Sequence, residues 1–521
     1  MTRRQEVRDS HCDEPAGAAR IGDVHPDRPV TVSVHLRHPE SADHPPGSAA
    51  DLAPFARPTT RPQLAARRRR RYRAIAVDIA AFAARAGLEV VSVNLPRRRI
   101  ELAAPARRLS RAFDARLGLY ERDGEQFRAR TGPLRLPAAI APWVRAVLGL
   151  DARTRMRRPS ARVGDHTDGS GGLRPNEMAA LYGIASDMGA SGQCIGIIEL
   201  GGGYSPDDLK EAADRMGVPL PVVVDVGVGA ANDFQQGSPA DREVALDLQV
   251  IAGAAPGVSI AVYFAPPEKF VDAVVEAVHD NRRKPSVLAI SWGIGENAWT
   301  ADQVVTMNAA LHDAGKLGIT VTAAAGDKLA TDGQFGAHAH VDFPASSPYV
   351  IGCGGTRITL AQDRASIVDE IVWNEGGSGT GGGISDLFDV PDFQQGVALP
   401  PSANGNGRIG RGVPDVAAAA ALGNGYLTVV GGNEIVQPGT SAVAPLVAAL
   451  ITLANKRRGV RLGFVNSTLY GDRDLFRPIL QGDNISRGVG YKAGPVWNAC
   501  CGLGAPLGAK ILSKLGPVAL A

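Results

Sequence analysis

The string Gly439-Thr440-Ser441-Ala442, followed by Pro445, stands where a glycine-rich loop turns into the apolar helical stretch from Ala442 to Asn455. A serine there is either an ordinary helix cap or a nucleophile whose developing oxyanion is met by backbone N–H groups left unpaired at the helix start. Serine attacks only when a base takes its proton. His166, His279, His312, His338 and His340 are the histidines of residues 166–521, and none sits in a His-Gly-Thr-His setting, which disfavours a Ser-His-Asp triad. Carboxylates are the other source of a base. In Asp241-Arg242-Glu243-Val244-Ala245-Leu246-Asp247, Glu243 and Asp247 lie at i and i+4 on one helical face. On the surface such a pair is merely solvated. In a cleft, two close negative charges hold one proton between them and raise an apparent pKa, which gives a base suited to acid.

These residues need a scaffold, and residues 173–521 supply a repeating one. Apolar strands are expected at 194–200, 222–226, 259–264, 286–292 and 318–325, alternating with helices at 206–216, 239–252, 271–279 and 301–314. Near-continuous Val, Ile and Ala strands separated by helices predict an α/β fold: a parallel sheet with helices on both faces and its chemistry at the carboxyl ends of the strands. Gly376 to Gly383 is expected to be a flexible loop on the substrate side. Familiar alternatives fail: there is no complete GxSxG, no HExxH, no P-loop and no EF-hand loop, and Gly227-Val228-Gly229 lacks the third glycine of a dinucleotide fingerprint.

The first third reads differently. A disordered tail is expected over 1–29 and a long loop over 44–62. Between them Val30, Val32, Val34 and Leu36 alternate as in a half-buried strand. A helix over 64–86, strands at 89–95 and near 100–103, a helix over 105–117 and short strands near Phe127 and Leu134 follow. This order approximates the β-α-β-β-α-β plan of ferredoxin-like α+β domains, and 137–150 reads as a last amphipathic helix. Residues 151–172 lose periodicity and collect Arg153, Arg155, Arg157, Arg158 and Arg162 before Gly169, an exposed stretch open to proteolysis.

The chain of 521 residues carries a formal net charge of +3, which hides a division. Residues 1–165 hold 32 Arg, no Lys and 18 acidic residues, a net +14, and the remainder carries −11. Attraction between the two parts is the simplest use of that asymmetry. Arg67 to Arg71 and Arg97 to Arg99 also form a candidate nucleic-acid patch, but only Tyr72 is an aromatic neighbour, and no nucleic-acid partner is expected. No apolar run of about 18 residues exists, so no membrane partner is expected either. The N-terminus lacks the apolar core of a secretory signal. The five cysteines Cys12, Cys194, Cys353, Cys500 and Cys501 have no CxxC spacing and imply neither a disulfide framework nor a zinc site.

In this setting the strings Gly192-Gln193-Cys194-Ile195, Ile198 to Tyr204, Ile260 to Pro266, Ser291-Trp292-Gly293, Ala323 to Asp327 and Gly439 to Ala442, in this order, resemble the sedolisin (serine-carboxyl peptidase) family from about residue 30 to the end. The resemblance implies a subtilisin-like catalytic domain over 173–521, an inhibitory prodomain over 30–165 and a cleavable linker ending at 166–172. It implies a self-processing zymogen of an acid-active endopeptidase, with Ser441 as nucleophile, Glu243 as base, Asp247 as the carboxylate orienting that base and Asp327 as oxyanion donor. Glu199 and Trp292 would extend the network behind Asp247. Expected partners are polypeptide substrates and the prodomain itself, in a monomer, and the expected location is extracellular. A catalytically silent relative acting as a binding protein is the alternative. The family's calcium site is also implied, through two Asp carboxylates and backbone carbonyls, but those positions read Pro478 and Asn498, so no metal is expected. Lys328, directly after Asp327, would favour the ionised form of that acid.

Overall fold

Alternation builds the N-terminal unit. In the strand Pro29–Leu36, Val30, Val32 and Val34 pack into one core while Ser33 and His35 face the other way. The strand pairs antiparallel with Arg99–Pro105 and Val144–Leu148, and Glu89–Asn94 pairs with Arg99–Pro105 at the outer edge. The helices Arg61–Ala86 and Ala106–Phe113 cover the apolar face through Tyr72, Ile75, Ile79, Phe82, Leu109 and Phe113. Chain order and sheet order together are those of a ferredoxin-like domain. The structure, a computed structural model, describes residues 3–37, 39, 52, 58–122, 124–153, 171–184, 189–334 and 336–516.

Two expectations for this unit are corrected. The tail expected over 1–29 is instead woven into the domain: Arg4–Glu6 pairs with Arg135–Pro137, and Ala19–Asp23 joins the hairpin of Arg116–Arg122 and Glu125–Thr131. These strands are short and mostly exposed, so backbone pairing holds them and hydropathy gives no sign of it. The helix expected over 137–150 is a 3-10 turn at Ala141–Trp143 followed by the strand Val144–Leu148. Pro142 has no N–H to give an α-helix, and pairing beside Pro29–Leu36 overrides local propensity. Most of the Arg-rich linker, and most of the loop at 44–62, lie outside the described residues.

The larger unit centres on an eight-stranded sheet. Val222–Gly227, Ser259–Phe264, Cys194–Glu199, Val287–Ile290, Thr320–Ala324 and Ile351–Leu360 lie side by side and parallel. Val416–Ala419 adds a further parallel strand and Ile367–Val372 an antiparallel one. Alternate residues feed two cores: Ile195, Ile197, Val262 and Ala289 one, Ile198, Tyr263, Leu288 and Ile290 the other. Burial on both faces explains why the central strands read as continuous apolar runs, whereas the edge strand Val222–Gly227 is largely exposed. The helices Pro239–Ala254 and Val443–Arg458 pack on the first face, and Phe270–His279 and Ala301–Lys316 on the second. No described helix is long and apolar enough to cross a membrane.

The polar face of the N-terminal sheet and the turn beside it dock on Phe270–His279 and Ala301–Lys316, where Leu64, Ala146 and Leu148 join the second core and a set of ion pairs surrounds them. Ser33 Oγ donates to Asp272, which also meets His35 and Arg99 at 3.2 Å each. Arg97 pairs with Glu276, while Arg68 and Arg98 converge on Asp313 at 2.6 and 2.7 Å. Arg130 reaches Asp302 at 2.7 Å with both side chains buried. The opposed charges of the two parts therefore meet across this interface, and Arg68 and Arg97 to Arg99 are used inside the chain.

Candidate active site

Three neighbouring strands deliver their carboxyl ends to one edge of the sheet. Glu199 is the last residue of Cys194–Glu199, Ser291 and Trp292 follow Val287–Ile290, and Asp327 comes three residues after Thr320–Ala324. The helix Pro239–Ala254 brings the acid pair. Its start is fixed by Pro239 at the first position and by a capping box between Ser238 and Asp241. The buried Asp241 carboxylate accepts backbone N–H groups of Gly203, Gln235, Gly237 and Ser238 at 2.8 to 3.1 Å, tying the loop after Glu199 to the helix. Glu243 and Asp247 are 6 % and 0 % exposed, so the solvated-pair reading is excluded.

A hydrogen-bonded chain joins these elements. Trp292 Nε1 donates to Glu199 Oε2 at 3.0 Å, and Glu199 bonds the Asp247 carboxyl. Ser291 Oγ contacts both Asp247 oxygens at 2.8 and 2.9 Å and lies 3.2 Å from the Ser441 carbonyl oxygen. Burial first, and the adjacent Glu199 charge second, push the Asp247 carboxyl well above the usual carboxylate range, while the Ser291 hydrogen bond works the other way. A carboxyl group in that state carries a proton it can share.

Ser441 lies in a short 3-10 turn, Thr440–Ala442, that leads into the buried helix Val443–Arg458 and packs against Pro239–Ala254. The turn is not closed by a cap from Ser441: its Oγ is buried and makes no hydrogen bond to the described residues, including Glu243. Asp327 Oδ1 instead holds the turn, accepting from Thr440 N at 2.8 Å and Thr440 Oγ1 at 2.7 Å. Lys328 Nζ reaches Ser378 Oγ at 3.5 Å.

The loop expected to be flexible, Gly376 to Gly383, is pinned behind Asp327. Gly379 N donates to the Asp327 carbonyl at 3.0 Å and Gly381 N to the Gly326 carbonyl at 2.8 Å. A Cβ on Gly381 would stand 1.9 Å from the Ala325 carbonyl oxygen, so only glycine allows this approach. Sequence reasoning gave Ser291 and Thr440 no role, and placed Gly381 only within a flexible substrate-side loop. The one available signal was a polar Ser291 closing an otherwise apolar run.

At the implied calcium position the residues do not fit a cation. Pro478 offers no side-chain donor, and the Asn498 carboxamide turns its N–H₂ group toward the carbonyls of Ile479 and Gly494.

Residues 16–153 match the family description "Pro-kumamolisin, activation domain", and residues 227–459 match "Subtilase family". The chain is 41% identical over 461 residues to kumamolisin of Bacillus sp. (strain MN-32), covering 85% of this chain and 83% of that one. It is 30% identical over 417 residues to tripeptidyl-peptidase 1 of Homo sapiens, covering 72% of this chain and 70% of that one. Among solved structures, Pseudomonas sedolisin, a serine-carboxyl proteinase complexed with pseudo-iodotyrostatin, superposes with a TM-score of 0.60 at 28% identity, covering 66% of this chain and 98% of that one. The chain belongs to the sedolisin family of serine-carboxyl peptidases, and is a serine-type peptide hydrolase of subtilisin-like fold preceded by an activation prodomain.

Proposed function

We propose that this chain is the self-processing zymogen of an acid-active endopeptidase that cleaves polypeptides through an acyl-enzyme on Ser441. Ser441 Oγ attacks the scissile carbonyl carbon while Glu243 takes its proton. Glu243 then returns that proton to the leaving amine, and water, activated by the same carboxylate, hydrolyses the ester. Asp247 holds Glu243 and shares a proton with it, and Glu199 and Trp292 steady Asp247 from behind. Asp327, protonated in acid, donates to the oxyanion. The observation that carries the reading is the buried run from Trp292 through Glu199, Asp247 and Ser291 to the Ser441 carbonyl, which brings proton-sharing acids to a serine with an unused hydroxyl.

The prodomain is the intramolecular inhibitor, polypeptides are the substrates, and the enzyme works as a monomer outside the cell. Incubation with an unfolded protein across pH, with mass spectrometry of the products, tests this. Internal cuts that peak at about pH 4 support an endopeptidase. Removal of N-terminal tripeptides alone would assign the activity named for tripeptidyl-peptidase 1, and absence of cleavage at every pH would favour a silent binding protein.

A further inference from the structure

Asn498 is 6 % exposed, and its carboxamide is used in full. Nδ2 donates to the Ile479 carbonyl at 3.3 Å and to the Gly494 carbonyl at 3.4 Å. Oδ1 accepts from the N–H groups of Cys500 at 3.2 Å and Cys501 at 2.9 Å. Asn498 also exchanges two backbone hydrogen bonds with Gly502. Two N–H donors on one side and two carbonyl acceptors on the other fix the amide orientation, because the reverse would set N–H against N–H and oxygen against oxygen. The carbonyls of Ile479 and Gly494 thus converge from two separate loops on one electropositive group.

We propose that the Asn498 carboxamide stands in place of a cation: it is a neutral strut that joins the 479 and 494 segments, so the C-terminal loops are held without metal. Hydrogens aimed at both carbonyls put positive charge where a cation would have to sit, and Pro478 brings no carboxylate to compensate. The strut matters beyond its own loops. Next to it, Trp497 Nε1 donates to the Pro414 carbonyl at 3.2 Å and Leu503 N to the Asp415 carbonyl at 2.8 Å, which fastens the segment to the end of the strand Val416–Ala419.

The test uses the full-length chain carrying Ser441→Ala, which keeps it from cutting itself while heated. Thermal midpoints are read by circular dichroism in chelator and in millimolar calcium chloride, and calcium is titrated calorimetrically. The parent is expected to show one midpoint in both solutions and no binding heat. Asn498→Ala should lose several degrees in both. Asn498→Asp, whose carboxylate would face two carbonyl oxygens, should lose more in chelator and recover in calcium. The proposal is overturned if the parent binds calcium with a rise in midpoint, a result that needs no variant to fold, or if either variant in chelator is as stable as the parent.

Discussion

Acid should release the prodomain, and His279 should set most of the pH range in which it does so. Its Nε2 lies 3.1 Å from Arg68 Nη1 and 3.3 Å from Asp313 Oδ2, in a small interface cavity also lined by His35, Arg97, Arg98 and Arg145. Burial first, then Arg68 against a compensating hydrogen bond to Asp313, holds His279 down at about 4. When the prodomain leaves, Arg68 and Arg98 go with it, and the imidazole returns toward its ordinary value of about 6.5. A group whose pKa is lower in the complex than in the free domain binds a proton on release. Association therefore weakens as pH falls below about 6.5 and stops weakening near 4. The proton linkage amounts to about 60-fold between pH 7 and pH 4.5. Asp272 and Asp313 act further down: burial would raise them, but His35 and Arg99 for the first, and Arg68 and Arg98 for the second, hold both below the ordinary range. Their contribution is present above the ordinary carboxylate range and is lost as pH falls through their depressed values. Because Arg130–Asp302 and Arg68–Asp313 are buried, added salt should matter less than pH. The assay takes the Ser441→Ala chain, nicks it in the linker with an added protease, and measures dissociation of the two pieces by gel filtration against pH. His279→Gln can still accept from Arg68 but cannot take a proton, so it should flatten the profile between pH 6.5 and 4.5. A parental slope in His279→Gln would refute the reasoning.

Four further outcomes follow from the geometry. Glu243→Gln and Asp247→Asn should each lower kcat/KM by several orders of magnitude, measured with a peptide substrate on processed enzyme. Ser291→Ala removes the hydrogen bond that opposes the rise of the Asp247 carboxyl, so the acid limb of the pH–rate profile should move upward, with a moderate loss of kcat. Because the Asp247 carboxyl is raised in the fold, its contribution is present in full below the ordinary carboxylate range and is lost as pH rises from there through its folded value; Asp247→Asn, neutral at all pH, should flatten that loss in thermal midpoints. Arg130→Ala leaves Asp302 buried without its ion partner, a defect of about 3–5 kcal/mol, and should loosen the prodomain, read as earlier release in the gel-filtration assay.

The central strands and the helices between them were legible because burial on both faces leaves a continuous apolar run: Ser259–Phe264 and Pro206–Met216 fall where the pattern puts them, while Ile351–Leu360, Ile367–Val372 and Val416–Ala419 drew no expectation. The N-terminal strands Arg4–Glu6 and Ala19–Asp23 were not, since exposed edge pairing has no hydropathy pattern, and Val144–Leu148 was hidden by a distant partner strand. For the site, Ser441 and the Glu243/Asp247 spacing stood out by residue type, while Asp327, Glu199 and Trp292 needed the resemblance. Ser291 and Gly381 act through a hydroxyl at a strand end and through a missing Cβ, contacts that exist only once the strands are side by side. Pro478 and Asn498 lack the carboxylates that the resemblance implies, but nothing in the residue types signals that the Asn498 amide hydrogens meet the Ile479 and Gly494 carbonyls.

The most direct test of the central claim is the intact mass of the full-length chain and of Ser441→Ala, followed over time at about pH 4. The account predicts that the parent sheds its prodomain and acquires a new N-terminus between Asp151 and Gly172, while Ser441→Ala stays whole. Processing of Ser441→Ala at the parental rate, in the absence of any other peptidase, would contradict it.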